Sequence, residues 1–278
     1  LHKYLNQMEL MQTTEQEPYM VTGNWVLTNA VKMNNKYLVA LSNVALGYSV
    51  ISTSADFATA TKYFTEAQSV AELNHFKDIQ AKAFNGLAHI YSLNGQKEKF
   101  KEFTLKSVEI CKQAGIMDGM AAGYANLSAS YFKERHADPQ NLDKAIAYIL
   151  LSIKTSESIK DSFALIASYM SISRNYSEKE MYDSARYYLD QSKVYINGFK
   201  REVDYNRYYY YLGSLFHQQK KYADAIKSYF TSVAYSNRFN IPTYVITTYK
   251  AMTKTYKAMG DYKNALYYTE KINAFNDS

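Results

Sequence analysis

Three stretches near the C-terminal end of the chain repeat one pattern of large and small residues at an interval of 40 residues. Each stretch has an aromatic residue at both ends, and the three run over Tyr169–Tyr176, Tyr209–Phe216 and Tyr249–Tyr256. A turn and a Tyr-x-x-Ala segment follow every time, at Tyr182–Ala185, Tyr222–Ala225 and Tyr262–Ala265. A period of this length is typical of chains in which each unit packs only on its neighbours, so the sequence predicts a stack of helical hairpins.

The same register extends backwards to the start of the chain. The first large position holds Tyr124, Phe84, Val44 and Tyr4, and the second holds Tyr131, Tyr91, Ile51 and Met11. We therefore predict one solenoid domain over 1–278, made of about seven hairpins. Their approximate bounds are 1–35, 36–76, 77–115, 116–158, 159–199, 200–239 and 240–278.

Glycine and proline are scarce, and their positions agree with this register. The chain has 10 Gly and 3 Pro in 278 residues, too few for a fold rich in tight turns. Pro18, Pro139 and Pro242 fall at predicted helix boundaries, while Gly95 and Gly260 fall in hairpin turns. The sequence predicts an all-α chain, with an inserted surface turn at Arg135–Gln140 in the fourth repeat.

The internal spacing of the hairpin resembles that of tetratricopeptide repeats. The best match is the sixth repeat, through Leu212–Gly213, Phe216, Tyr222, Ala225 and Tyr229. The resemblance implies a right-handed α-α superhelix whose concave groove is lined by the first helix of each hairpin. That family has a period of about 34 residues, whereas HEAT and armadillo repeats have about 40 to 47, which stay open as alternatives. The surplus lies in longer helices or longer connections.

The second helix carries small residues at two repeated positions. The first reads Ala60, Ala145, Ala185, Ala225 and Ala265, with exceptions at Phe100 and Met20 that make the third and first repeats less regular. The second reads Ser107, Ser152, Ser192 and Ser232. We interpret these serines, the repeated tyrosines and the lone Cys111 as packing residues, since small side chains permit close helix approach and a single cysteine on an apolar face is commonly buried.

No residue pattern in the sequence indicates catalysis. The five histidines and one cysteine lack metal-ligand spacing, and no glycine-rich phosphate loop is present. We therefore expect no enzyme activity, no metal and no cofactor.

Positions on the first helices that are offset from the buried face predict the lining of the concave groove. In the fifth repeat these positions include Met170 beside Arg174. The predicted protein- or peptide-binding residues are Lys82, Asn85, His89, Asn126, Arg174, Arg207, Tyr210, Ser214, His217, Lys250, Lys254 and Lys257. The same residues could equally be the solvated faces of amphipathic helices.

A basic and aromatic groove favours a peptide with acidic side chains or a free C-terminal carboxylate. The formal charge of +6 is modest, so no direct nucleic-acid binding is expected. The resemblance extends to sensor regions of bacterial signalling and transcription regulators. An alternative function is a structural adaptor that self-associates, because apolar residues of Ile272–Phe275 stay available for another helix.

No stretch is long and apolar enough for a membrane span. The chain begins at Leu1 rather than Met, so we expect an excised domain of a longer bacterial protein, cytoplasmic or periplasmic.

Overall fold

A computed structural model describes residues 17–276, and these residues contain helices and turns but no strand. The thirteen helices of this range are α1 (Glu17–Lys32), α2 (Lys36–Thr53), α3 (Phe57–Leu73), α4 (Lys77–Leu93), α5 (Lys97–Ala114), α6 (Met117–Lys133), α7 (Gln140–Ser158), α8 (Ser162–Glu178), α9 (Tyr182–Gly198), α10 (Tyr205–Gln218), α11 (Tyr222–Arg238), α12 (Pro242–Ala258) and α13 (Tyr262–Asn276). A short 3₁₀ turn, Glu202–Asp204, precedes α10. The first helix predicted for the first repeat, with Tyr4 and Met11, lies outside the described residues.

Most helices end in the same three-residue turn. Its central residue has a positive φ, and these residues recur every 20 positions at His75, Gly95 and Gly115, and again at Lys160, Glu180, Lys200, Lys220, Asn240 and Gly260. The next amide donates back to the carbonyl five residues earlier, as from Lys221 to Phe216 at 2.9 Å. This six-to-one hydrogen bond is the Schellman ending, which satisfies carbonyls that the helix leaves open.

The residues by which this 40-residue repeat exceeds a 34-residue repeat lie in the helices. Helices α3, α4, α8, α9, α11 and α12 each have 17 residues. The connections stay short because the same turn joins helices within a hairpin and between hairpins. Both Gly95 and Gly260 occupy its positive-φ position, at 68° and 76°, as predicted. Pro242 is the first residue of α12.

Small residues let the two helices of a hairpin approach closely. Ala60, Ala145, Ala185 and Ala225 are fully buried, so the repeated alanine position is a packing position. In the sixth repeat the Tyr229 ring lies directly against Gly213, where an added Cβ would stand 2.6 Å from ring carbons. The residue pairs that carry the tetratricopeptide resemblance therefore make the contacts that the resemblance implies.

The four repeated serines are buried, as predicted, and three of them contact a neighbouring helix, since Ser152 Oγ also lies 3.2 Å from Ser168 Oγ. Ser107 Oγ donates to the Ala81 carbonyl at 3.0 Å, and Ser232 Oγ donates to the Asn206 carbonyl at 2.7 Å. Ser232 also lies 3.2 Å from Thr248 Oγ1 of the next hairpin. Ser192 makes the expected bond within its own helix, to the Leu189 carbonyl. Cys111 is buried as well.

The described residues form two compact bodies, which divide between Ser130 and Tyr131. In the first body each helix from α1 to α5 packs on the next, and the core contains Val44, Phe64, Ile79 and Leu87. In the second body α7 to α13 likewise pack in sequence, around Ile166, Leu189, Tyr208, Tyr229 and Met252. Within residues 17–276 no helix combines the length and apolarity that crossing a membrane requires.

The repeated turn generates a prediction with opposite signs at two positions. Gly260→Ala should lower the free energy of unfolding by about 1 kcal/mol, because a β-carbon is strained at positive φ and nothing else lies near this site. Lys220→Gly should raise that free energy by roughly 0.5 kcal/mol, since it relieves the same strain. Urea unfolding followed by circular dichroism measures both; effects of the same sign would contradict the role of the turn.

Candidate functional site

The first helices of the second body form a continuous row. Helix α8 contacts α10 and α10 contacts α12, in addition to the contacts that each makes with its own second helix. The surface that α8, α10 and α12 expose together is called the first-helix face below. It carries the C-terminal members of the predicted groove set: Arg174, Arg207, Tyr210, Ser214, His217, Lys250, Lys254 and Lys257.

Arg174 holds its charge in a largely buried position on α8. Its guanidinium carbon lies 3.7 Å from the centre of the Phe132 ring, and Nη2 donates to Asn175 Oδ1 at 3.4 Å. The Nε atom is buried and has no hydrogen-bond partner among the described residues. Burial lowers the pKa of Arg174, and the nearby charge of Arg135 opposes protonation further. Guanidinium stays protonated in proteins, so a desolvated, incompletely paired cation results.

A second guanidinium lies against the same aromatic ring. Arg135 stands 4.2 Å from the centre of Phe132, and its Nε lies 2.8 Å from Glu178 Oε1. The N–H of that Nε is not aligned for a hydrogen bond, so the contact is an ion pair by distance alone. His136 Nε2 lies 3.9 Å from the same carboxylate oxygen. One carboxylate therefore faces two guanidinium groups, and the cluster keeps an excess of positive charge.

Helix α10 continues the basic and aromatic surface. The Nε atom of Arg207 is buried without a hydrogen-bond partner among the described residues, as in Arg174. Tyr210 and Tyr211 meet edge to face at 5.4 Å between ring centres. Burial raises the pKa of Tyr210, while the Arg174 charge acts in the opposite direction.

Tyr244 of α12 completes this part of the face. Burial raises the pKa of its hydroxyl, and the charge of Arg207 lowers it. The hydroxyls of Tyr210 and Tyr244 thus stay protonated at neutral pH and can each donate one hydrogen bond. The arrangement offers two partly buried cations with neutral hydroxyl donors between them.

His217 and Ser214 lie further along α10. His217 Nδ1 is 2.9 Å from Thr255 Oγ1 of α12. Burial lowers the pKa of His217, and the charge of Lys254 lowers it again, so the imidazole is neutral at pH 7. Ser214 Oγ donates to the Tyr210 carbonyl at 3.1 Å and accepts from the Tyr229 hydroxyl at 3.4 Å. Ser214 is thus tied to the backbone and to the packed Tyr229.

The remaining predicted residues are placed differently. Lys250, Lys254 and Lys257 are exposed along α12. Lys82, Asn85, His89 and Asn126 belong to the first body, where Asn85 is half-buried and the other three are exposed. A role for any of these side chains in binding stays a prediction.

The placement of Met170 in the groove was wrong. Its side chain is fully buried and packs in the cluster that contains Ile166, Leu189 and Tyr208. The equivalent positions in the next two repeats hold the half-buried Tyr210 and the exposed Lys250. The position is therefore at the border between core and surface, where an apolar side chain turns inward.

Sequence reasoning missed five residues of the site: Phe132, Arg135, Glu178, Tyr211 and Tyr244. Arg135 belongs to the inserted turn, which was interpreted only as a lengthened surface loop, yet its guanidinium is half-buried on Phe132. Insertion residues have no counterpart in other repeats, so the register carried no signal for them. The positions equivalent to Tyr244 in the two preceding repeats hold Asp204 and Ala164. Because the residue type changes from repeat to repeat, no repeated pattern indicated Tyr244.

The fold is shared with solved structures of helical-repeat proteins. The apo form of RapI matches with a TM-score of 0.76 at 14% identity, over 98% of this chain and 96% of that one. A Rap protein complexed with Competence and Sporulation Factor matches at 0.67 and 10% identity, over 99% and 84%. A Signal Transduction ATPase with Numerous Domains that has a tetratricopeptide repeat sensor, from Pyrococcus horikoshii, matches at 0.65 and 14%, over 98% and 43%.

These similarities establish an all-α repeat fold of the tetratricopeptide type. The structure of aspartyl phosphate phosphatase F from Bacillus subtilis also matches, at 14% identity and a TM-score of 0.65, over 100% of this chain and 80% of that one. The fold therefore does not by itself decide between binding and catalysis. No family model and no curated protein matches the sequence.

The different pairing of Arg174 and Arg135 predicts opposite effects on stability. Arg174→Met should leave the free energy of unfolding unchanged or higher, because an apolar side chain replaces a buried, incompletely paired cation against Phe132. Arg135→Met should lower that free energy by about 1 kcal/mol, because it leaves the Glu178 carboxylate half-buried without its ion-pair partner.

Urea unfolding of the two variants beside the parent chain measures the difference. A loss in Arg174→Met as large as that in Arg135→Met would show that Arg174 has a structural partner and is not held ready for a ligand.

Proposed function

We propose that the chain is a non-catalytic binding scaffold whose first-helix face in the second body takes an extended protein segment or peptide with acidic groups. The observation that supports this proposal best is the pair of arginines on adjacent first helices, Arg174 and Arg207, each with a buried Nε that lacks a hydrogen-bond partner within residues 17–276. Lys250, Lys254 and Lys257 of α12 add exposed positive charge to the first-helix face.

A buried guanidinium is favourable only when an anion neutralises it. Moving such a charge out of water costs several kcal/mol, and the Glu178 carboxylate near Arg174 is already paired with Arg135. A carboxylate of a ligand can accept two parallel hydrogen bonds from an arginine, and this geometry rewards an aspartate, a glutamate or a chain terminus. The ligand's anion would thus supply the charge that the site lacks.

The tyrosines fit a peptide better than a small inorganic anion. Tyr210, Tyr211 and Tyr244 lie around the two arginines, and tyrosine offers a large apolar contact area together with a hydroxyl that bonds to the backbone. Helical rows of this kind present side chains at regular intervals, which suits an extended ligand. The overall charge of +6 favours encounter with acidic partners.

We place the chain in signalling as the sensor or interaction region of a bacterial regulatory protein. Two similar structures support this: one is a Rap protein in complex with Competence and Sporulation Factor, and the other contains a tetratricopeptide repeat sensor. Binding on one face of a solenoid can alter how another segment packs on the array, which is how such a region would pass on a signal. The two compact bodies would act as one solenoid domain.

Nucleic acid and metal ions are weaker candidates for the ligand. Residues 17–276 contain no group of histidine, cysteine and carboxylate side chains that could hold a metal ion. The cations of the first-helix face are mixed with tyrosines and a carboxylate, whereas a phosphate backbone requires a longer, uniformly basic stripe.

Charge reversal on the first-helix face should abolish binding of acidic peptides. The probe is a displayed library of random twelve-residue peptides, from which the strongest isolates are synthesised with a free or an amidated C-terminus. Arg207→Glu combined with Lys254→Glu should weaken their binding by at least about a hundredfold, since two attractions become repulsions. Fluorescence anisotropy measures the dissociation constants, and circular dichroism checks that helicity is retained.

The matched control is Lys154→Glu combined with Lys227→Glu. These exposed lysines lie on the second helices α7 and α11, and they give the same change in net charge. The control should bind as the parent chain does. A library without enriched acidic peptides, or equal binding by both double variants, would refute the proposed site.

A further inference from the structure

The outward side of α13 is unusually apolar for an exposed helix face. Tyr262 is 72% exposed, Leu266 is 60% exposed and Tyr267 is 49% exposed, while Ala265 and Tyr268 of the same helix are buried against α12. These three large side chains lie within two turns, so they form one patch rather than scattered contacts.

The repeat shows what this patch would do elsewhere in the array. Leu266 is the counterpart of Ile226, 40 residues earlier, and Ile226 packs against the cluster that contains Val245 and Met252 of the next first helix. Tyr262 is likewise the counterpart of Tyr222, which is half-buried. The part of α13 that carries Tyr262 and Leu266 therefore matches a surface that the next first helix covers elsewhere in the array, whereas Tyr267 corresponds to the exposed Lys227.

Two side chains of opposite charge lie on the same side of α13 as this patch. Lys263 and Glu270 are both exposed and stand seven residues apart, which is two helical turns, so they lie on the same side of α13. Neither forms a salt bridge within the part of the chain that the structure describes. Lys271, one residue further, lies with its Nζ 5.5 Å from the centre of the Tyr267 ring.

We propose that two copies of the chain associate through α13, packed antiparallel about a twofold axis. An axis at the Leu266–Tyr267 peptide bond brings Lys263 opposite Glu270 of the second copy, and the same pair recurs on the other side of the axis. Leu266 then faces Tyr267 of the second copy, again twice. A surface that is complementary to itself in this way satisfies the requirement for an isologous dimer.

The antiparallel orientation follows from the charges. A parallel pair would set Lys263 against Lys263 and Glu270 against Glu270, both repulsive. The antiparallel pair makes two attractive contacts, and it also sets the dipoles of the two helices antiparallel to each other, which is the favourable orientation for helices side by side. Because a single helix per copy covers little area, the association is expected to be weak and to depend on concentration.

Sedimentation equilibrium of the full chain over a range of concentrations tests the pairing. The parent chain should show a monomer–dimer equilibrium. Lys263→Glu alone and Glu270→Lys alone should each raise the dimer dissociation constant at least about tenfold, because each converts two attractions into two repulsions. The double variant should associate as the parent does, because its charges are exchanged but still complementary.

A mixture of the two single variants tests the charge pairing between two copies most directly. One variant carries two acidic residues on this face and the other two basic residues, so they should form a mixed dimer more tightly than either associates with itself. Lys227→Glu on α11 is the matched control and should not alter the equilibrium. A monomer at every concentration, or a dimer that ignores the charge exchanges, would overturn the proposal and would show that any occupant of this face is another segment or partner.

Discussion

The reversal at the end of most helices is the interaction on which the other features of the structure depend. A residue with positive φ and one six-to-one hydrogen bond end the helix, and the next helix begins almost at once. Because these reversals recur every 20 residues, each helix starts at the same phase as the equivalent helix one repeat earlier. Equivalent residues in successive repeats therefore point in equivalent directions, and a row of first helices can present one face to a ligand.

The two helices of a hairpin have different roles. The second helices carry the buried alanines and serines that allow close packing, and Ser107 and Ser232 bond to the preceding first helix. The first helices of the second body carry Arg174 and Arg207, whose Nε atoms lack a hydrogen-bond partner among residues 17–276, and the tyrosines that lie around them. Packing fixes the position of these polar groups. The incompletely paired positive charges of the two arginines indicate an anionic partner.

Much of the fold was readable from the sequence because packing positions repeat. The aromatic, alanine and serine positions, the all-α class and the glycine turns were each supported by several repeats, and the structure confirms them. Turns such as Lys160, Glu180 and Lys220 gave no signal, because lysine and glutamate rarely adopt positive φ and here the helices on both sides hold them there.

The site was only partly predictable, for a related reason. Arg174, Arg207 and Tyr210 occupy repeated positions, so the register predicts them, and their role in binding stays a prediction. Arg135 lies in an insertion, and its contacts with Phe132 and Glu178 depend on tertiary packing that no periodic pattern encodes. The prediction for Met170 was wrong because its position lies at the border between core and surface, and its side chain packs in the cluster that contains Tyr208.

The central claim is that ligands bind to the first helices of the second body and not to the second helices. Site-specific photo-crosslinking with benzoylphenylalanine tests it most directly, using an enriched acidic peptide as the probe. The crosslinker at Tyr210 or Tyr244 should capture the peptide, whereas at the exposed Tyr187 or Phe230 of the second helices it should not. Capture from Tyr187 or Phe230 alone would contradict the account.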